Sequence, residues 1–169
     1  AINVVVPWVA AILIFIVSIF SMYHQIPTGH VGIVYTFAGI TGQRGEGLQW
    51  VAPWQRVKEA TIQVQGHKFD ALESFSSETQ DVFVTATLNV QVSPEHIQGL
   101  YRDVGPSYFD VLVRPRVLQA FKDETVKYPS VKIADNRESM RLAVRERLTN
   151  ELKEHSIIVQ DLLIDNIKF

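Results

Sequence analysis

RGEGLQWVAPW, residues 44–54, decides how the first part of this chain is read. With Gly42 just before it, glycines fall at 42, 45 and 47, a spacing that could cradle a phosphate. Such a cradle lies between a strand and a helix N-terminus, whose free N–H groups hold the anion. Here LQWVAPW follows, with Pro53, β-prone residues and no Lys-Ser/Thr pair to close the loop. The stretch is therefore predicted to be a turn between strands. Trp50 and Trp54 then belong either in the core beside Leu48, Val51 and Pro53, or in the interfacial layer of a bilayer, where tryptophan sits well.

The residues upstream bear on that choice. From Ala1 to Gln43 there is no Lys, Arg, Asp or Glu, and Arg44 is the first charge. Within this stretch Val4 to Met22, VVVPWVAAILIFIVSIFSM, is almost wholly apolar. As a helix it would be about 28 Å long, close to the hydrocarbon thickness of a bilayer. A buried core helix would show a polar stripe, and a secretory signal would show a basic n-region and a shorter apolar run. Neither pattern is visible. Pro7 falls in the first turn, where its missing N–H costs least. Trp8 and Tyr23 stand near the two ends, as an aromatic belt would place them. Residues 1–23 are predicted to be a single-pass transmembrane anchor. With no flanking Lys or Arg, the charge rule assigns no side of the membrane to the rest of the chain.

Composition narrows the function classes. The chain has 169 residues, 47% of them apolar, room for one globular unit or two small ones beside an anchor. A formal net charge of −2 supplies no basic field for nucleic acid. With no cysteine, disulfides, thiolate metal sites and thiol catalysis are excluded.

HQIPTG, residues 24–29, reads as a short linker, after which β-structure begins. In VGIVYTF, Val31, Ile33, Tyr35 and Phe37 share one face. Val82, Val84, Ala86, Leu88, Val90 and Val92 alternate with Phe83, Thr85, Thr87, Asn89 and Gln91, as in a half-buried antiparallel strand. No long crossover helix separates these strands, which argues against a parallel nucleotide-binding sheet.

Around Ser93 the period changes. Ser93-Pro94-Glu95 starts a short helix to about Tyr101, and a second runs from Ser107 to Tyr128, bent or delayed by Pro115. A third begins near Asp135 or Asn136, with Met140, Val144, Leu148 and Leu152 on one stripe and Arg147 and Glu151 set for an i,i+4 pair. SIIVQDLLIDNIKF closes as a strand. The fold class is α+β: an N-terminal transmembrane helix, a β-rich subdomain over 24–93 and a helix-rich subdomain over 94–169.

No motif for catalysis emerges. The five histidines (24, 30, 67, 96, 155) form no HExxH and no pair at helical ligand spacing, so no metal site is assigned. No GxSxG elbow occurs. The carboxylates cluster at Asp123-Glu124 and along the third helix among arginines, as on a solvated or subunit-facing surface. No catalytic, cofactor-binding or metal-binding residue is predicted, and no cofactor.

The ordered succession of these blocks resembles the SPFH (band 7) family, the group of stomatins, prohibitins, flotillins and the bacterial HflK and HflC proteins, most of all its prohibitins. The blocks are Gly45-Glu46-Gly47 with Pro53-Trp54, Ser77 to Val92, Tyr101 to Tyr108 with Gly105, Arg114-Pro115, and Asn136-Arg137-Glu138 through Ile158, Asp161 and Ile164 to Phe169. They cover about residues 24–169. The resemblance implies two small α+β subdomains laid on a membrane and then a long coiled coil, for which no heptad run of three repeats exists here. It implies a non-enzymatic scaffold, a homo- or hetero-oligomer of SPFH subunits in a bacterial or mitochondrial inner membrane. The ring or cage would enclose a membrane patch, organise lipid and limit the access of a membrane-anchored AAA+ protease to substrates. On that reading Trp8, Tyr23, Trp50 and Trp54 meet membrane lipid. Arg141, Arg145, Arg147 and Glu151 form the lateral interface, where charge reversal at Arg145 or Arg147 should break assembly and leave the fold intact. A monotopic lipid-binding domain without a large assembly is the alternative, and a membrane-anchored hydrolase a more distant one.

Overall fold

The computed structural model describes the backbone of residues 2–169 and the side chains from Val5 onward. Ala1 and the side chain of Val4, both within the predicted anchor, lie outside the described residues. The chain divides into two compact units, one ending at Ile62 and the other running Gln63–Phe169.

The first unit begins with a 20-residue helix, α1 (Ile2–Ser21), with Pro7 inside it. Among the described residues no helix is long and apolar enough to cross a membrane. Directly after α1, β1 (Tyr23–Ile26) pairs antiparallel with β4 (Gly47–Trp50) as a two-stranded ribbon. A second, three-stranded sheet has β2 (His30–Thr36) between β3 (Gly39–Arg44) and β5 (Arg56–Thr61), all antiparallel. As the central strand, β2 buries Val31, Ile33 and Val34, so both of its faces are covered. Gly32 sits among them, and a Cβ there would lie 2.5 Å from Ile26 Cδ1 and 2.7 Å from Val57 Cγ1. That bare position lets Ile26, the buried residue of β1, seat against the sheet.

In the second unit β7 (Asp81–Val92) lies between β6 (Gln65–Phe75) and β8 (Ile157–Lys168) in an antiparallel sheet. Its alternation holds along the whole strand, from Val82 to Val92 inward. Because β7 pairs with β8, the last strand of the chain, it belongs with the helices rather than with the first unit. Between β7 and β8 come α2 (Ile97–Asp103), a wide π turn (Phe109–Val113), α3 (Arg114–Thr125), the single turn α4 (Ser130–Ile133) and α5 (Arg137–Lys153). Met140, Val144, Leu148 and Leu152 of α5 are all buried, as are Val117 and Phe121 of α3. Helices inserted between two adjacent antiparallel strands make this unit α+β.

The predicted second helix is thus in two parts. Pro115 has no N–H to donate and its ring crowds the carbonyl four residues back. The backbone meets this by widening into the π turn before α3, and the Arg116 guanidinium donates to the Leu112 carbonyl at 3.0 Å.

Candidate membrane-contact surface

The glycine stretch is a turn with strands on both sides. Gly45 and Glu46 join β3 to β4, and Gly47 opens β4 at φ +95°, a left-handed conformation that suits glycine. Glu46 Oε2 accepts the Gly29 N–H at 3.1 Å, tying the turn to the loop before β2. With the Glu46 carboxylate on the Gly29 N–H and a strand rather than a helix following, the turn offers no helix N-terminus to a phosphate.

What the turn does is bring β4 alongside β1. Tyr23 stands directly across from Trp50, and Gln25 across from Leu48. Residues two apart on a strand share a face, so Tyr23, Leu48 and Trp50 share one face, with Gln25 beside them. Tyr23 is 48% exposed, Trp50 59% and Leu48 67%. The opposite face carries Ile26, which is buried. The core option for Trp50 and Trp54 is excluded, since Trp54 is also 62% exposed, while Val51 between them is the residue that goes inside.

This face continues from α1. The Met22 N–H donates to the Ile19 carbonyl at 3.1 Å, and the Met22 carbonyl accepts the Val51 N–H at 2.8 Å, so the ribbon begins where the helix ends. Along α1, Trp8, Ile12, Phe15 and Phe20 are exposed, with no core laid over them. Ser18 Oγ donates to the Ile14 carbonyl at 2.7 Å, so this hydroxyl is satisfied within the helix and costs little in an apolar medium. From Trp8 to Ser21 the helix rises about 20 Å, and Tyr23 follows just beyond its end, so aromatic residues flank an uncharged segment.

Trp54 stands elsewhere, in a turn over Ala52–Gln55 whose ends are bonded: Gln55 N–H to the Ala52 carbonyl at 2.9 Å, and Ala52 N–H to Gln55 Oε1 at 3.1 Å. With Tyr35, Phe37, Pro53, Arg56 and Lys58 it lines a cleft of about 530 Å³. Sequence reasoning missed this cleft. Its signal was Phe37, which occupies the two-residue β2–β3 turn with Ala38, a place where polar residues or glycine are usual, and is 98% exposed.

Residues 24–169 match the SPFH domain / Band 7 family. The chain belongs to that family. It is 22% identical to "Prohibitin-2" of Dictyostelium discoideum over 144 residues, 83% of this chain and 49% of that protein. The chain thus spans about half the length of the curated relative it matches. The family match opens at residue 24, so α1 and Tyr23 lie before it.

In this SPFH domain the four residues predicted to face other subunits are all engaged within the chain. Arg141 donates to both Glu138 carboxylate oxygens, to Asp161 Oδ1 at 3.3 Å and to the Leu162 carbonyl at 3.2 Å, fastening α5 to β8. Arg145 donates to the Gln160 carbonyl at 3.0 Å. Arg147 bridges Asp123 of α3 at 2.6 Å and Glu151 at 2.8 Å. Hydrogen bonding from Arg147 holds the Asp123 carboxyl below its ordinary range, and bonding from Arg141 does the same for Glu138. Among the described residues no cluster of three or more His, Asp or Glu could hold a metal. His67 stacks on Phe109, ring centroids 3.5 Å apart; burial, with Arg114 nearby, pushes its pKa below 6.5.

Proposed function

We propose that this chain is the membrane-anchoring part of a non-enzymatic SPFH scaffold. In this reading α1 enters the bilayer as a single pass, the face of Tyr23, Leu48 and Trp50 lies in the headgroup layer, and many copies, alone or with sister SPFH chains, join into a ring or cage around a membrane patch. Such an enclosure would organise lipid and restrict what a membrane-anchored AAA+ protease can reach. The observation that carries the reading is the set of exposed apolar side chains along α1, followed directly by exposed Tyr23, Leu48 and Trp50 in the β1–β4 ribbon. A surface of this kind on a water-soluble monomer would invite aggregation. Family membership supports the scaffold half, and so does the arginine–carboxylate network of the second unit, which ties helices and strand together.

Alkaline carbonate extraction of membranes carrying the native protein tests the anchor. Retention in the membrane fraction is expected, with release when Ile12, Phe15 and Ile16 are all changed to aspartate. Quantitative release of the unaltered protein would refute it. One rival is a monotopic lipid-binding domain. That protein would keep its membrane affinity and remain monomeric in mild detergents.

A further inference from the structure

The cleft beside Trp54 combines features that the scaffold reading leaves unused. Arg56 and Lys58 are two apart on β5 and so project from the same face. Tyr35 is the cross-strand partner of Arg56, and the Lys58 ammonium lies 5.3 Å from the centre of the Tyr35 ring. That cation–π contact places the charge over the Tyr35 ring, while Lys58 remains exposed. No acidic side chain lines the cleft. Glu59, the next residue along β5, projects from the opposite face, where its Oε1 is 3.5 Å from His24 Nε2. Among the described residues, neither Arg56 nor Lys58 is in an ion pair. The first unit as a whole has three cations (Arg44, Arg56, Lys58) against two acids (Glu46, Glu59), a charge of 3 − 2 = +1 in a chain whose net charge is −2.

Two uncompensated cations between aromatic walls suit an oxyanion attached to an apolar body. A guanidinium offers a planar fork to phosphate oxygens and an ammonium adds a point charge. Tyr35, Phe37 and Trp54 would line the less polar side. The position of the cleft narrows the source of the phosphate. Val51 is hydrogen-bonded to Met22 at the foot of α1, and Trp54 is three residues further, within about 10 Å along the chain. If α1 is in the bilayer, Trp54 is within reach of the headgroup layer.

We propose that this cleft binds the phosphate of an anionic phospholipid, with Arg56 and Lys58 holding the charge and Trp54 and Phe37 the glycerol and upper acyl region. The proposal rests on the membrane placement given above. It makes the first unit a selector of the lipids that surround it, rather than only an anchor.

The test uses the full chain with Trp8→Phe and Trp50→Phe, leaving Trp54 as the fluorophore. It is reconstituted in phosphatidylcholine vesicles containing a minor fraction of 6,7-dibromo lipid, either phosphatidylglycerol or phosphatidylcholine. Brominated phosphatidylglycerol should quench Trp54 with a relative association constant about thirtyfold higher, from roughly a kcal/mol for each of the two cations near the surface. Arg56→Gln with Lys58→Gln should bring the two lipids level while flotation and circular dichroism stay unchanged. Equal quenching by both lipids in fully floated protein, or selectivity that survives the double substitution, would overturn this proposal and leave the anchor standing. Protein absent from floated vesicles of either kind would overturn both. Loss of selectivity on adding soluble glycerol 3-phosphate would assign the cleft to a free phosphate and overturn the lipid assignment.

Discussion

Replacing Gly32 with alanine tests how the ribbon that carries Tyr23 and Trp50 is held. The new Cβ would meet Ile26 Cδ1 at 2.5 Å and Val57 Cγ1 at 2.7 Å, well inside van der Waals contact. The Ile26 methyl is the far end of a flexible side chain and can turn away, but the branched Val57 has less freedom. Overpacking of this kind costs about 1–3 kcal/mol. Ile26→Val alone should cost about 0.5–1.5 kcal/mol, because it opens a small void at a fully buried site. It also removes the atom that the alanine strikes first. The double variant should therefore be more stable than the sum of the two losses implies, by about 1 kcal/mol. The assay is a urea titration in a mild detergent followed by tryptophan emission. All three tryptophans (8, 50 and 54) precede Ile62, so the signal reports the first unit. With a denaturant slope of about 1 kcal/mol per molar for so small a unit, the Gly32→Ala midpoint should fall by roughly 1–3 M. An unchanged midpoint, or strictly additive losses, would refute the packing argument.

In the second unit, Leu148→Ala should cost about 2–5 kcal/mol, since Leu148 is fully buried on the α5 stripe; a loss under about 1 kcal/mol by far-ultraviolet circular dichroism would mean that α5 is not the core helix described. His67 is held neutral by burial against Phe109, so its folded pKa lies below 6.5. As pH falls from 6.5 through the folded pKa, the unfolded chain takes up the proton first and stability declines; above 6.5 this contribution is level. His67→Gln should flatten that decline in urea midpoints measured between about pH 7 and pH 5, and an identical slope would refute the assignment. Arg145→Glu is the milder probe of lateral assembly: besides the Gln160 carbonyl, Arg145 has one loose ion pair, 3.9 Å from Asp161 Oδ1, whereas Arg147→Glu would set a third carboxylate beside Asp123 and Glu151 and loosen α3 from α5. Light scattering should show smaller particles for Arg145→Glu with helicity retained; wild-type size would remove this face of α5 from the interface.

The parts of the fold set by local periodicity were legible from the chain. Val82 to Val92 read as a half-buried strand, and Met140, Val144, Leu148 and Leu152 as the inner stripe of a helix. Both are so because the environment on each side is uniform along the element. Where backbone groups were claimed by distant partners, the local reading drifted. Ser93-Pro94-Glu95 has the chemistry of a helix start, yet the Ser93 N–H donates to the Ser156 carbonyl across the sheet, and α2 begins at Ile97. Val31, Ile33, Tyr35 and Phe37 share a face by alternation, but the strand ends at Thr36 and Phe37 swings out in the turn. The aromatic residues of the candidate surface could be named from sequence; their grouping could not. Tyr23 meets Trp50 only because β1 pairs with β4, and Tyr35 meets Arg56 only because β2 pairs with β5, and neither pairing leaves a local trace.

Whether this chain works as a subunit of a membrane-enclosing assembly is measured by particle size in negative-stain microscopy, after gentle detergent extraction of the native protein. Rings or cages of many subunits with detergent or lipid at their base are expected. Uniform small particles across several mild detergents would contradict such an assembly and leave a monotopic lipid-binding domain with an SPFH fold.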